Sequence, residues 1–238
     1  MPDFSKRSEE IEIMDDLTCS GPVVHQTLRE LEFINKWLGG NAVTLGGVQQ
    51  ILSKKLLGHH TGITVGDVGC GGGDMLKLLH RLFKKRNLSA TFIGIDANPA
   101  IIAYAQANTT LYPDITYKTL DVLSDEFAGQ HYDVVLATLF FHHFTTDQLV
   151  KLFSRLTRQT TTAIVINDLH RHWLAYYSIK LLTKIFSRSS MVRVDAPLSV
   201  LRGFKKTELI EILHRAGIKN YSLRWKWAFR WQLVIEIA

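Results

Sequence analysis

The stretch Val65-Gly66-Asp67-Val68-Gly69-Cys70-Gly71-Gly72-Gly73-Asp74 decides the reading of this chain. The apolar, β-branched run Ile63-Thr64-Val65 leads into it and the amphipathic run Met75 to Phe83 leads out. The order is strand, glycine turn, helix. Glycines let a chain turn sharply and bring its backbone close to a bound molecule with no Cβ between them. The helix then opens beside that molecule with free N–H groups. A dinucleotide fingerprint spaces its glycines Gly-x-Gly-x-x-Gly. Here Gly69, Gly71 and Gly73 alternate, and Asp74 stands where the third dinucleotide glycine belongs.

Downstream of Thr61, strands and helices alternate, which predicts a parallel sheet. Thr91 to Ile95 reads as a second strand ending at Asp96, and Asn98 caps the next helix with Pro99 in its first position. Ile115 to Thr119 is a third strand followed by Asp121, and Tyr132 to Ala137 a fourth. Thr145 and Gln148 form a capping box. Thr162 to Ile166 is a fifth strand, Thr207 caps a helix that stops at Gly217, and Tyr221 to Ile237 supplies the last one or two strands. Upstream, residues 1–60 read as a helical cap. A first helix runs from Ser8 to near Leu17, a second from Pro22 to Gly39-Gly40, and a third from Thr44 to Leu57, closed by Gly58. No repeat or low-complexity linker divides the 238 residues, so one domain is expected: the cap over 1–60 and the core over 61–238, with an insertion over 169–204.

In a doubly wound sheet, ligands sit beyond the carboxyl ends of the strands. Asp67, Asp96 and Asp121 fall at three such ends. A carboxylate at Asp96 is suited to both hydroxyls of a ribose, and Asp121 to an adenine amino group, with the Val122 backbone nearby. This set resembles the class I S-adenosylmethionine-dependent methyltransferases from about Gly62 onward. The segment Leu139 to Phe144, Leu-Phe-Phe-His-His-Phe, is similar to that of small-molecule members near the ubiquinone and menaquinone methyltransferases. The resemblance implies a Rossmann-like α/β sheet of seven strands in the order 3-2-1-4-5-7-6, with strand 7 antiparallel. It also implies S-adenosylmethionine as cofactor, with S-adenosylhomocysteine as its product. Carried over by position, Gly69, Cys70 and Gly71 line the methionine part, Asp96 the ribose and Asp121 the adenine, with Gly73, Ala97 and Val122 also expected among the cofactor-binding residues. The amino end faces Asp67 and the Ala137 backbone. Gly66 departs from the pattern, standing where a larger apolar residue is usual, so a looser strand is expected there. The fourth strand is not followed by Asn-Pro-Pro-Tyr, which disfavours transfer to an amide or nucleobase nitrogen.

Transfer to a phenol would gain from a histidine base. His142 and His143 stand at the fourth strand end, and His170 and His172 follow the fifth, where Asp168 is placed to orient one of them. His170-x-His172 beside Asp168 lacks the further spaced ligands of a metal site, so no metal is expected. The insertion crowds Trp173, Tyr176, Tyr177 and many aliphatic residues into one predicted helix punctuated by Lys180 and Lys184. It reads as a lid forming a wall of the substrate pocket, as a helix packed on the core, or as a membrane contact. The segment Asn35 to Asn41 either closes over the cofactor or is only a helix end. In the tail Leu223 to Trp231 large apolar side chains share one parity and Arg224, Lys226 and Arg230 the other, as in a half-buried strand.

Two cysteines, Cys19 and Cys70, give no disulfide framework, no apolar run approaches membrane-spanning length, and the start is unlike a signal peptide. A cytoplasmic location is therefore expected. The net charge of +6 serves solubility, with nucleic acid set aside as a partner. The expected function is methyl transfer to a small, fairly apolar acceptor at a hydroxyl oxygen, by a monomer or homodimer. The alternatives are transfer to a quinone-like ring carbon, RNA methylation, and a non-catalytic S-adenosylmethionine-binding protein.

Overall fold

The computed structural model of the chain describes residues 2–54 and 62–237. Among them, seven strands form one sheet: β1 Ile63–Val68, β2 Ala90–Asp96, β3 Ile115–Thr119, β4 Tyr132–Thr138, β5 Thr160–Leu169, β6 Tyr221–Lys226 and β7 Arg230–Glu236. The order is β3-β2-β1-β4-β5-β7-β6. β7 pairs antiparallel with both neighbours, and the other pairings are parallel. Strand order reverses between β1 and β4, so the chain leaves these neighbours in opposite directions and a crevice opens beyond their carboxyl ends.

Helices α1 Pro22–Trp37, α2 Gly40–Ser53, α3 Asp74–Lys85, α4 Pro99–Asn108, α5 Asp125–Ala128, α6 Thr146–Gln159, α7 Trp173–Phe186, α8 Ser190–Arg202 and α9 Lys206–Arg215 complete the described chain. Val48, Ile51, Leu76, Leu79 and Phe83 of α2 and α3 bury one sheet face. Leu149, Leu152, Phe153 and Leu156 of α6, with Leu209 and Ile212 of α9, bury the other. Apolar residues recur at three and four residue spacing in α6, so one stripe meets the sheet. Thr145 and Gln148 cap it reciprocally, and Asn98 accepts from Ala100 and Ile101 at the start of α4. Gly66 does not leave a gap. The Tyr132 ring lies where its side chain would be, with Cδ1 2.8 Å from the place of a Cβ. The small residue and the large neighbour fill one volume, which corrects the expected looseness.

The N-terminal region departs most from the sequence reading. Residues 3–12 are not helical, and only the 3₁₀ turn Ile13–Asp15 interrupts the segment before α1. Its backbone is satisfied by distant side chains instead. Arg171 donates to the Phe4 and Ser5 carbonyls, Arg202 to the Glu10 carbonyl, and Asp195 accepts from the Ile13 and Met14 N–H groups. A strap results, drawn across the carboxyl end of the sheet. The third helix begins at Gly40 rather than Thr44, and its expected end at Leu57 and Gly58 lies outside the described residues. Trp173 to Phe186 form the one expected helix, α7, and the insertion holds a second helix, α8, after it. The last helix is capped at Lys205, whose N–H donates to Glu208, with Thr207 inside the first turn. Among the described residues, no helix is long and apolar enough to cross a membrane.

Candidate active site

Between the carboxyl ends of β1, β2, β4 and β5, the strap, α1, α7 and α8 lies a cavity of 820 Å³. Sites for small molecules span roughly 300–1,000 Å³. The glycine turn is its floor. The Gly69 and Cys70 N–H groups donate to the Ile95 carbonyl at 2.8 and 3.1 Å, which ties the turn to the end of β2. Gly69 has a φ of +69°, and a Cβ there would collide with the Phe140 ring, so the position admits glycine alone. Leu139 next to that ring has a φ of +54° and is held by its N–H on the Asn167 carbonyl. Strain of this kind persists where the surroundings fix it.

Of the residues singled out from the sequence for the cofactor, Asp67, Gly69, Cys70, Gly71, Asp96, Ala97, Asp121 and Val122 line the cavity. Gly73 instead caps α3, and Ala137 is wholly buried in the sheet, leaving the following Thr138 and Leu139 at the lining. Asp67 is buried, and among the described residues its Oδ1 has no hydrogen-bond partner. Burial, with Asp96 and Asp74 nearby, pushes its carboxyl up to about 8. Burial likewise raises Asp96, against the N–H groups of Asn98 and the glycine turn that it accepts. Asp121 is exposed and accepts the Leu123 N–H at 2.8 Å. Burial also pushes the Cys70 thiol well up, so it is an inert lining group.

His142 and His143 lie side by side, ring centroids 4.2 Å apart, and both line the cavity. Asp168 orients His142, not His170 or His172 as the sequence suggested. Its Oδ1 is 2.7 Å from His142 Nδ1, and its Oδ2 takes the Phe141 and His142 N–H groups. β4 and β5 are neighbours, so the end of one strand reaches the turn after the other, and His170 has passed beyond that turn. His170 lies outside the cavity lining, with Nδ1 accepting from Trp225 Nε1, and His172 caps α7 through the Leu174 N–H. His143 Nδ1 is 2.5 Å from Asp15 Oδ1, a carboxylate from the strap. Burial raises Asp15, but His143 and Arg202 outweigh it and hold this group down at about 2. The buried Glu12 stands between the two rings and Arg202, with Oε1 3.6 Å from His142 Nε2 and 3.7 Å from Arg202 Nε. Its burial pushes it up to about 7. Arg7 and Arg202 fix the loop from behind by donating to the carbonyls of His142, His143 and Phe144.

Trp173, Tyr176 and Tyr177 do not line the cavity. Tyr176 packs edge-on against Phe4 and Tyr177, while Trp173 and Tyr177 face outward. The adjacent flank of the same helix, Ala175, Ser178, Ile179 and Leu182, lines the cavity instead. Asn35, Leu38 and Asn41 of the α1–α2 corner also line it.

The sequence reading missed Glu12, Asp15, Arg7, Arg202 and Arg230. Arg230 had the solvent parity of the tail and shares the sheet face of its cross-strand pair Lys226, yet it is 3% exposed, because β7 is an inner strand covered on both faces while β6 is the sheet edge. It lines the cavity over Gly40, where a Cβ would lie 2.8 Å from its Cζ, and donates to Asn35 Oδ1. A lone arginine between Phe229 and Trp231 was the one available signal.

A seven-stranded sheet in this order, with acid-ended strands around an alternating glycine turn, defines a class I methyltransferase fold. The comparisons agree. Residues 65–162 match the family described as methyltransferase domain. A ubiquinone biosynthesis O-methyltransferase from Azorhizobium caulinodans is 32% identical over 113 residues, 43% of this chain and 41% of that protein. The chain thus covers about two fifths of the curated relative it matches. Magnesium protoporphyrin IX methyltransferase from Synechocystis, solved with bound S-adenosylhomocysteine, superposes with a TM-score of 0.57 at 18% identity, covering 87% of this chain and 88% of that one. Human N-acetylserotonin methyltransferase, solved with S-adenosylmethionine, gives 0.61 at 14% identity, covering 90% and 55%.

Proposed function

We propose that the chain moves a methyl group from S-adenosylmethionine to a hydroxyl oxygen of a small, largely apolar acceptor. The observation that carries this reading is the cavity itself, with strand-end carboxylates on one side and a carboxylate-held histidine on the other. The residues suit the cofactor. Asp67 offers a buried, unpartnered oxygen to an ammonium, Asp96 a carboxylate to a ribose diol, and Gly69 to Gly71 a backbone cradle. The Val122 backbone, also at the lining, is available to an adenine edge. When bound, the cofactor supplies an activated methyl group on sulfur, so the protein must mainly align the acceptor and exclude water.

The acceptor side is walled by Ile34, Leu38, Phe140, Ile179 and Leu182, which favours an apolar molecule. A proton must leave the hydroxyl. His142 is enclosed, with Nδ1 on Asp168 and Nε2 toward Glu12, so it braces the loop. His143 is more open, and the Asp15 carboxylate lies against its ring, where it would stabilise the imidazolium formed when the ring takes a proton. His143 is therefore the base and Asp15 its positioning residue. The curated relative is an O-methyltransferase, which supports oxygen over carbon. The test is turnover on a library of phenols read by mass spectrometry. His143→Ala should lower it by roughly 10²–10⁴ while S-adenosylhomocysteine affinity stays within error. Full turnover in that variant would remove His143 from the role.

A further inference from the structure

Helix α7 presents three different flanks. Ala175, Tyr176 and Thr183 are buried against the protein. Ser178, Ile179 and Leu182 face the active-site cavity. The remaining flank is turned outward and is apolar: Leu181 is 59% exposed and Ile185 60%, flanked by Trp173 and Tyr177. Across a groove of 710 Å³ the C-terminal half of α1 continues the surface, with the rings of Phe33 and Trp37 tilted against each other at 5.5 Å between centroids and Trp37 72% exposed. Isolated exposed apolar side chains need no account, but a contiguous surface built by two helices does.

Its charges say what covers it. Helix α7 carries Lys180 and Lys184 and no acidic residue, and Arg188 follows at its end. All three are exposed. The one carboxylate at the groove wall, Glu30, is consumed by the Arg188 and Ser189 N–H groups. Tryptophan, tyrosine and aliphatic side chains edged by lysines, without acids, match the interface of an anionic bilayer, where the apolar bodies sink and the ammonium groups stay among the headgroups. A second copy of the chain would set like charges against each other. The groove and the active-site cavity share Ile34, Leu38, Ile179 and Leu182, so the surface is continuous with the acceptor wall.

We propose that the outward flank of α7 and the end of α1 dock on an anionic lipid bilayer, placing the cavity mouth against the hydrocarbon from which an apolar acceptor enters. The docking is independent of the chemistry proposed above and is tested without turnover. The full chain is sedimented with vesicles of phosphatidylcholine alone or mixed with phosphatidylglycerol. It should partition onto the mixed vesicles and be released by salt. The double variant Lys180→Gln with Lys184→Gln should lower the partition coefficient about 30-fold. Leu181→Ser with Ile185→Ser should abolish it. Both pairs are exposed and outside the cavity lining, so S-adenosylhomocysteine affinity and melting temperature should not move. Wild-type protein that stays in the supernatant with mixed vesicles overturns the proposal. So does a dimer in lipid-free solution that Leu181→Ser with Ile185→Ser converts to monomer, since the face then belongs to a second copy.

Discussion

Asp168→Asn tests how the turn after β4 is held. The Asp168 carboxylate is buried at the end of β5 and accepts four donors: the N–H groups of Phe141 at 2.8 Å, His142 at 3.2 Å and Leu169 at 2.7 Å, and His142 Nδ1 at 2.7 Å. It is the clasp between β5 and the turn after β4. An asparagine keeps the shape but presents an NH₂ group to donors that need an acceptor. Charge-assisted hydrogen bonds contribute about 1.5–3 kcal/mol each against about 0.5–1.5 for neutral ones. Weakening or losing these bonds in a buried site should cost about 3–5 kcal/mol, as for a broken buried ion pair. Urea unfolding at neutral pH should show that loss as a lower midpoint at unchanged slope. The pH dependence has a definite sign. Burial raises Asp168, but the His142 charge and its hydrogen bonds outweigh that and hold the carboxyl below its ordinary 3.8. A depressed acid contributes stability above its unfolded value, and that contribution is lost as pH falls through the folded value. The gap between wild type and variant should therefore be full above 3.8 and close on further acidification. A loss under about 1 kcal/mol at neutral pH would refute the clasp.

Two further results are expected. Asp96→Ala should weaken S-adenosylhomocysteine binding by about 2–3 kcal/mol, measured by calorimetry, through lost charge-assisted hydrogen bonds. Asp67 binds its proton up to about pH 8 in the free protein, so folded stability from this group falls as pH rises from 3.8 toward 8. An ammonium beside Asp67 would drive the proton off. Calorimetry near neutral pH in buffers of different ionisation enthalpy should then show proton release on S-adenosylhomocysteine binding, abolished in Asp67→Asn. Binding without release would separate Asp67 from the ligand's amino group.

The sheet was legible because its strands are short β-branched runs with acids at their ends, and burial on both faces leaves such runs little choice of structure. Asp96 and Asp121 could be placed from strand ends alone. The strap could not, because its backbone partners are Arg171, Arg202 and Asp195, more than 160 residues away along the chain, and local pattern carries nothing about them. Asp15 and Glu12 reach the histidines for the same reason. The α7 residues show a different failure. Composition identified an apolar helix in the right place, yet a helix apolar almost all round does not reveal which side faces the cavity, and the aromatic residues took the outside. Arg230 was misread because the pattern shows which face a residue shares with Lys226, not that the inner strand β7 has that face covered.

The central claim is that the cavity above Gly69 to Gly71 takes S-adenosylmethionine rather than a dinucleotide. Calorimetric titration of the full chain with S-adenosylhomocysteine, and separately with NAD, tests it most directly. Saturable binding of S-adenosylhomocysteine, weakened by Asp96→Ala, with no heat from NAD, is the expected result. Tight binding of NAD with no response to S-adenosylhomocysteine would contradict the account.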